Sequence, residues 1–234
     1  MGLPTREDLA TMRQDIKDGL GFGSSGSTFT ANNAIIDSWL ERAQRLIYWE
    51  HDFTELITIE TITSQQGQEG YDWPANTEPK KILSIWLEDT NLTSANWYPM
   101  IEGVGPQHYG RISTTDQGRP TRYERRDQLD IWRRPDDNSY TFHIEGIKRL
   151  GRLTAETDKA TINEDLIKML ALAWGKAHYR HPDAQDWRLY YDKTMRRIKA
   201  GDQGKKKFIR SHGRAEHFVD RMYDRPEYHA YTNP

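Results

Sequence analysis

Apolar residues recur every three or four positions at both ends of this chain and roughly every second position in its middle. Near the start, Leu9, Met12, Ile16 and Leu20 fall on one face of an α-helix. Thr5 is placed to cap that helix, with Glu7 and Asp8 at its positive end, and Gly19, Gly21 and Gly23 to stop it. Thr30 is placed to cap a longer second helix ending near Asp52. Its apolar positions are Ile35, Ile36, Trp39, Leu40, Ala43, Leu46 and Ile47, with Glu41, Arg42 and Arg45 outside.

The period then shortens. Leu56 to Thr63, Lys81 to Leu87, Trp97 to Ile101, Gln128 to Trp132 and Ser139 to Ile147 read as short strands, and Gly118 to Tyr123 as a turn leading to a strand. In the last of these, Tyr140, Phe142 and Ile144 oppose Thr141, His143 and Glu145 across the pleat, and the turn Arg133 to Asn138 closes a hairpin. Helical period returns at Asn163, a cap for a helix to His181 carrying Leu166, Ile167, Leu170, Ala173, Trp174 and Ala177. After Pro182 a fourth helix begins, with Trp187, Tyr190, Tyr191, Thr194, Met195 and Ile198 inward, forming an antiparallel hairpin with the third. The predicted class is α+β: a four-helix bundle with an inserted antiparallel β domain of five or six strands and an extended C-terminal arm. The segments are 1–53 and 151–200 for the bundle, 54–150 for the insert and 201–234 for the arm.

That arm is the most informative stretch. It opens on Lys205, Lys206, Lys207, Phe208, Ile209, Arg210 and Arg214, with no acidic residue from 205 to 214. It closes on spaced rings at Phe218, Tyr223, Tyr228 and Tyr231, without apolar period. A purely solvated tail has few rings, because they gain nothing in water. Rings and arginines anchor interfaces, so the arm reads as a segment that orders on another molecule.

Composition narrows the classes. Lys plus Arg is 33 against 35 Asp plus Glu, a formal charge of −2, so the whole chain lacks the basic excess of a dedicated duplex binder. Hydrophobic residues make up only 35%, yet 8 Trp and 12 Tyr each bury large areas, as suits a subunit that completes its core against neighbours. The absence of cysteine removes disulfides and thiolate metal sites from consideration. No run approaches a membrane span, and no signal-like segment opens the sequence.

Candidate chemistry falls away on context. Gly21-Phe22-Gly23-Ser24-Ser25-Gly26 matches a dinucleotide fingerprint letter for letter, but it follows a helix where that chemistry needs a preceding strand. His178 and His181 share a helical face with Asp183 nearby, but no third ligand accompanies them, and His-Pro ends helices. No nucleophile–base ordering stands out. The expectation is no catalytic, cofactor-binding or metal site and no cofactor. Trp39, Trp174 and Trp187 sit at core spacing, while Trp86, Trp97 and Trp132 fit either a core or a subunit contact.

Four features together resemble the head-to-tail adaptor (connector) proteins of tailed bacteriophages. They are the capped helix Asn33 to Arg45, the turn Tyr71-Asp72-Trp73-Pro74, the run from Gly118 through Trp132 and Asp136 to the strand Tyr140–Ile147, and the closing helices around Ala171 to Ala177 and Tyr190-Tyr191. The resemblance spans about residues 5 to 200. It implies a non-enzymatic virion protein of the neck, present in host cytoplasm during assembly. Such a protein forms a homododecameric ring under the portal, extends the channel through which packaged DNA leaves at genome ejection, and offers a platform to the tail or next connector. Its partners would be the portal protein, the tail-side protein, copies of itself and the passing DNA, with no membrane. By the same resemblance, residues 201–234 would be the portal-binding arm. The alternative from the residues themselves is a nucleic-acid-binding module using the basic 205–214 segment.

Overall fold

The computed structural model describes residues 6–22, 32–92, 97–105 and 117–209, with side chains as far as Asp202. They divide into two compact units, one within Met1–Leu56 and Leu150–Gly204, the other formed by Ile57–Arg149 and, of the described residues, Lys205–Ile209.

The first unit is helical, with α1 at Leu9–Gly19, α2 at Asn33–Glu50, α3 at Glu164–His178 and α4 at Ala184–Ile209. Asp8 caps α1, its carboxylate accepting from the Thr11 amide at 2.8 Å. Thr5, expected in that role, lies outside the described residues, as does Thr30. Asn32 precedes α2 without a side-chain cap bond. Asn163 caps α3 as its sequence suggests, accepting from the amides of Asp165 and Leu166.

The core is the stripe the spacing picked out. Leu9, Met12 and Ile16 of α1, Ile36, Leu40 and Ile47 of α2, and Leu166, Ile167 and Leu170 of α3 are all nearly inaccessible. These three helices pack pairwise. Gly175 makes close packing possible at the α3 surface, since a Cβ there would sit 3.0 Å from the Trp39 ring and 3.2 Å from Leu20. Trp39, Trp174 and Trp187 are half-buried rather than core residues.

A four-helix bundle is not shown. Among the described residues α4 does not lie against another helix as closely as α1, α2 and α3 lie against each other, and the expected hairpin with α3 is not seen. It is fastened to the end of α2 by polar contacts of Tyr191 and Lys199 with Glu50, and Tyr191 and Met195 are buried. Tyr190, expected inward, is exposed. The irregular chain from Leu150 to Ile162 is bound to the helices through Gln44. Gln44 Nε2 donates to the Gly151 carbonyl at 2.9 Å, while its Oε1 accepts from the Thr161 amide at 2.8 Å. Arg13 holds the other flank, forked onto Asp37 at 2.7 and 2.9 Å and reaching Glu156 at 2.9 Å.

Among its described residues the second unit contains eight strands in two sheets, where one sheet of five or six was expected. They are β1 Ile57–Thr63, β2 Gly70–Tyr71, β3 Thr77–Asp89, β4 Trp97–Pro99, β5 Ile101–Glu102, β6 Arg122–Arg125, β7 Leu129–Trp132 and β8 Tyr140–Lys148. One sheet has the order β1-β8-β3-β4 and the other β2-β7-β6-β5. All pairings are antiparallel except β5 with β6, which run parallel. The predicted hairpin of β7 and β8 does not form, because β8 pairs with β1 and β3 in the other sheet. Met100, buried and donating its amide to the Ile85 carbonyl at 2.9 Å, is where the chain passes from one sheet to the other. Ile85, Leu87, Tyr140, Phe142 and Ile144 of the first sheet meet Tyr71, Tyr123, Leu129 and Ile131 of the second in one core.

Candidate assembly surfaces

Two surfaces stand out once the core is assigned. The first is α4. Helical geometry continues past Ala200, where the periodic pattern seemed to end, and carries Lys205 to Ile209 on the same helix. At 26 residues it is about 39 Å long. Arg210, Arg214, Phe218, Tyr223, Tyr228 and Tyr231 lie outside the described residues.

A polar clasp fixes where this helix leaves the first unit. Asp202 is almost fully buried and accepts from Thr54 Oγ1 at 2.7 Å and from His51 Nε2 at 2.9 Å. Burial alone pushes the carboxyl pKa of Asp202 up, but these two bonds outweigh it and hold it below the usual carboxylate range. One turn earlier, Glu50 accepts from Lys199 Nζ at 2.8 Å and from the Tyr191 hydroxyl at 2.9 Å. Again burial raises the carboxyl and the two donors more than offset it. Tyr191 is in turn driven upward by burial and by its bond to Glu50. Sequence reasoning placed Tyr191 inward but missed Asp202 and His51, because neither carries an apolar periodic signal.

The second surface is the outer face of the β1-β8-β3-β4 sheet. Cross-strand register places Ile59 beside Glu145 and Ser84, then Thr61 beside His143 and Trp86, then Thr141 beside Glu88 and Trp97. The side chains are held by their own network. Trp86 Nε1 donates to Ser84 Oγ at 2.9 Å, and Ser84 donates to Glu145 Oε2 at 2.6 Å. His143 Nε2 lies 2.6 Å from Glu88 Oε2, so that nitrogen bears the proton, and Trp97 stacks on the imidazole at 3.9 Å between centroids. Ile59, Trp86, Trp97, His143 and Glu145 line a shallow recess. Ile59 is 54% and Trp97 44% exposed, although they belong to an ordered sheet.

The sequence-level metal candidate resolves into local structure. The His178 ring lies 5.5 Å from that of Trp39 and 4.9 Å from that of Tyr179, while Asp183 accepts from Lys176. Among the described residues no group of three or more His, Cys, Asp or Glu is placed to hold a metal ion. Of the glycine fingerprint, Gly21 takes a positive φ of 76° after α1, and Gly23 to Gly26 lie outside the described residues. No described helix is long and apolar enough to cross a membrane.

An α+β chain whose distinctive surfaces are an exposed aromatic sheet face and a basic helix fixed at its base is built for contact with other macromolecules. The chain belongs to the SU10 adaptor protein family, whose model matches residues 8–214, in agreement with the resemblance carried by the sequence. It is thus a phage structural adaptor, and membership implies a place in the virion neck in association with portal and tail components. No curated protein matches the chain.

Proposed function

We propose that the chain forms a ring, with twelve copies, beneath the portal of a tailed phage, prolonging the DNA channel and presenting a docking platform to the tail. The family match over residues 8–214 is the observation that carries this reading. The arm beyond Asp202 binds the portal through Lys205, Lys206, Lys207, Phe208, Ile209, Arg210, Arg214, Phe218, Tyr223, Tyr228 and Tyr231. The clasp of Asp202 with His51 and Thr54 supports that assignment, since it gives the arm a fixed point of departure. An arm that orders on its partner pays its entropy at binding, and repetition around a ring compensates through effective concentration. Assembly takes place in host cytoplasm, and the near-neutral charge suits a conduit whose walls must release DNA at ejection.

The test compares the full chain with a chain ending at Gly204, which lacks every residue assigned to the arm. The shortened chain retains the thermal transition of the parent but does not bind isolated portal rings in electron micrographs or pull-downs. Equal portal binding by both would remove the arm assignment.

A second reading has its own observation. On α4, Lys193, Arg196, Arg197 and Lys199 precede Lys205, Lys206 and Lys207 on one continuous helix. A nucleic-acid contact through this helix and 205–214 predicts DNA binding that weakens with salt, by a slope of about −0.9 per phosphate engaged. Salt-insensitive or absent binding removes it.

A further inference from the structure

An amphipathic helix attached to a core by one face usually keeps large apolar groups off the face it shows to water, and α4 carries two of them there among its cations. Tyr191, Met195 and Asp202 are its buried side. On the far side lie Leu189, 57% exposed, and Tyr190, 55% exposed. At helical spacing below them are Lys193, Arg196 and Arg197, exposed and with no acidic partner among the described residues. Two large apolar groups beside three unspent cations form a stripe with the composition of an interface anchor.

The outer sheet face has the complementary character. Ile59 and Trp97 supply exposed apolar surface, and the charges among the outward residues of the paired rows are Glu88 and Glu145. Glu145 uses Oε2 on Ser84 and has no partner for Oε1 among the described residues. Trp97 is braced from behind by His143, which Glu88 holds in turn. Rings and carboxylate are therefore set in place before anything binds, which lowers the ordering cost of a contact. A planar guanidinium suits such a surface because it can lie on an indole while donating sideways to a carboxylate.

We infer that the outward stripe of α4 on one copy docks on the outer sheet face of the next copy, with Leu189 and Tyr190 against Ile59 and Trp97 and Arg196 or Arg197 on Glu145. The two surfaces differ and both lie on the same chain, so the contact is heterologous and propagates head to tail, the type of contact that closes rings. The inference rests on the ring reading above and adds the faces that meet.

The chain has no cysteine, so introduced thiols can be cross-linked without background. Full-length chain carrying both Ile59→Cys and Tyr190→Cys is treated with a short bismaleimide at concentrations where sedimentation velocity shows oligomers. The expected result is a ladder of covalent multimers, whereas a mixture of the two single variants stops at dimers. Adding Arg196→Glu and Arg197→Glu lowers the ladder yield about tenfold, and further adding Glu145→Lys restores it. Oligomers that give no ladder, or a ladder equally strong from Ile59→Cys paired with Leu46→Cys, overturn this interface while leaving the ring in place. A chain that stays monomeric at every concentration, alone and with portal, removes the ring reading and this inference with it.

Discussion

Replacing Asp202 with alanine should loosen the base of α4 without unfolding the helical core. The substitution removes the acceptor of the 2.7 Å bond from Thr54 and the 2.9 Å bond from His51, leaving two part-buried donors without that partner. Both bonds end on the Asp202 carboxylate, and a bond to a charged group contributes about 1.5–3 kcal/mol. Together they give about 3–6 kcal/mol, which corresponds to roughly 150- to 25,000-fold in a local opening equilibrium. Hydrogen exchange of amides from Lys199 to Ile209 should accelerate by that factor, while amides of α1 and α3 stay protected. The wild-type contact has a definite pH sense. The carboxyl pKa of Asp202 is depressed in the folded state, so its contribution is complete above the ordinary value of 3.8 and is lost as pH falls through the lower folded value. Exchange at the end of α4 should therefore be flat from neutral pH down to about pH 5, once corrected for intrinsic rates, and rise only below about pH 4. Unchanged protection in the alanine variant would show that Asp202 does not hold the helix.

Three further outcomes follow from the packing. Gln44→Leu removes two part-buried bonds, one to the Gly151 carbonyl and one from the Thr161 amide, and should cost about 1–3 kcal/mol, read as a lower urea midpoint at unchanged slope. Phe142→Ala empties the centre of the β unit, where the ring is inaccessible and lies 5.3 Å from that of Tyr71, and should cost about 3–5 kcal/mol by urea denaturation followed at the aromatic region of circular dichroism. Gly146→Ala places a methyl 2.7 Å from Thr77 Cγ2 and 3.3 Å from the Lys81 carbonyl, so a melting temperature below that of the parent is expected, by about 1–3 kcal/mol of stability.

The helical half was legible because burial on a helix leaves a period. Leu9, Met12, Ile16, Leu40, Ile47, Leu166 and Leu170 were all marked by spacing of three and four, and all are core. The alternation of β8 likewise separated Phe142 and Ile144 from His143 and Glu145, because strand side chains can only face one sheet surface or the other. Resemblance in these same runs was enough to indicate the adaptor family. Pairing partners were not legible: whether β8 joins β7 or β1 depends on contacts distant along the chain, and a local turn at Arg133 to Asn138 reads the same in both cases. The end of α4 was misplaced since Lys205 to Ile209 add no apolar stripe, yet helical propensity in lysine carries the backbone onward. Only the tertiary structure could bring Asp202 to His51 and Thr54, or set Trp97 on His143 beside a carboxylate. Periodicity records which side of an element meets the core, whereas polar contacts and exposed faces depend on where whole elements come to rest.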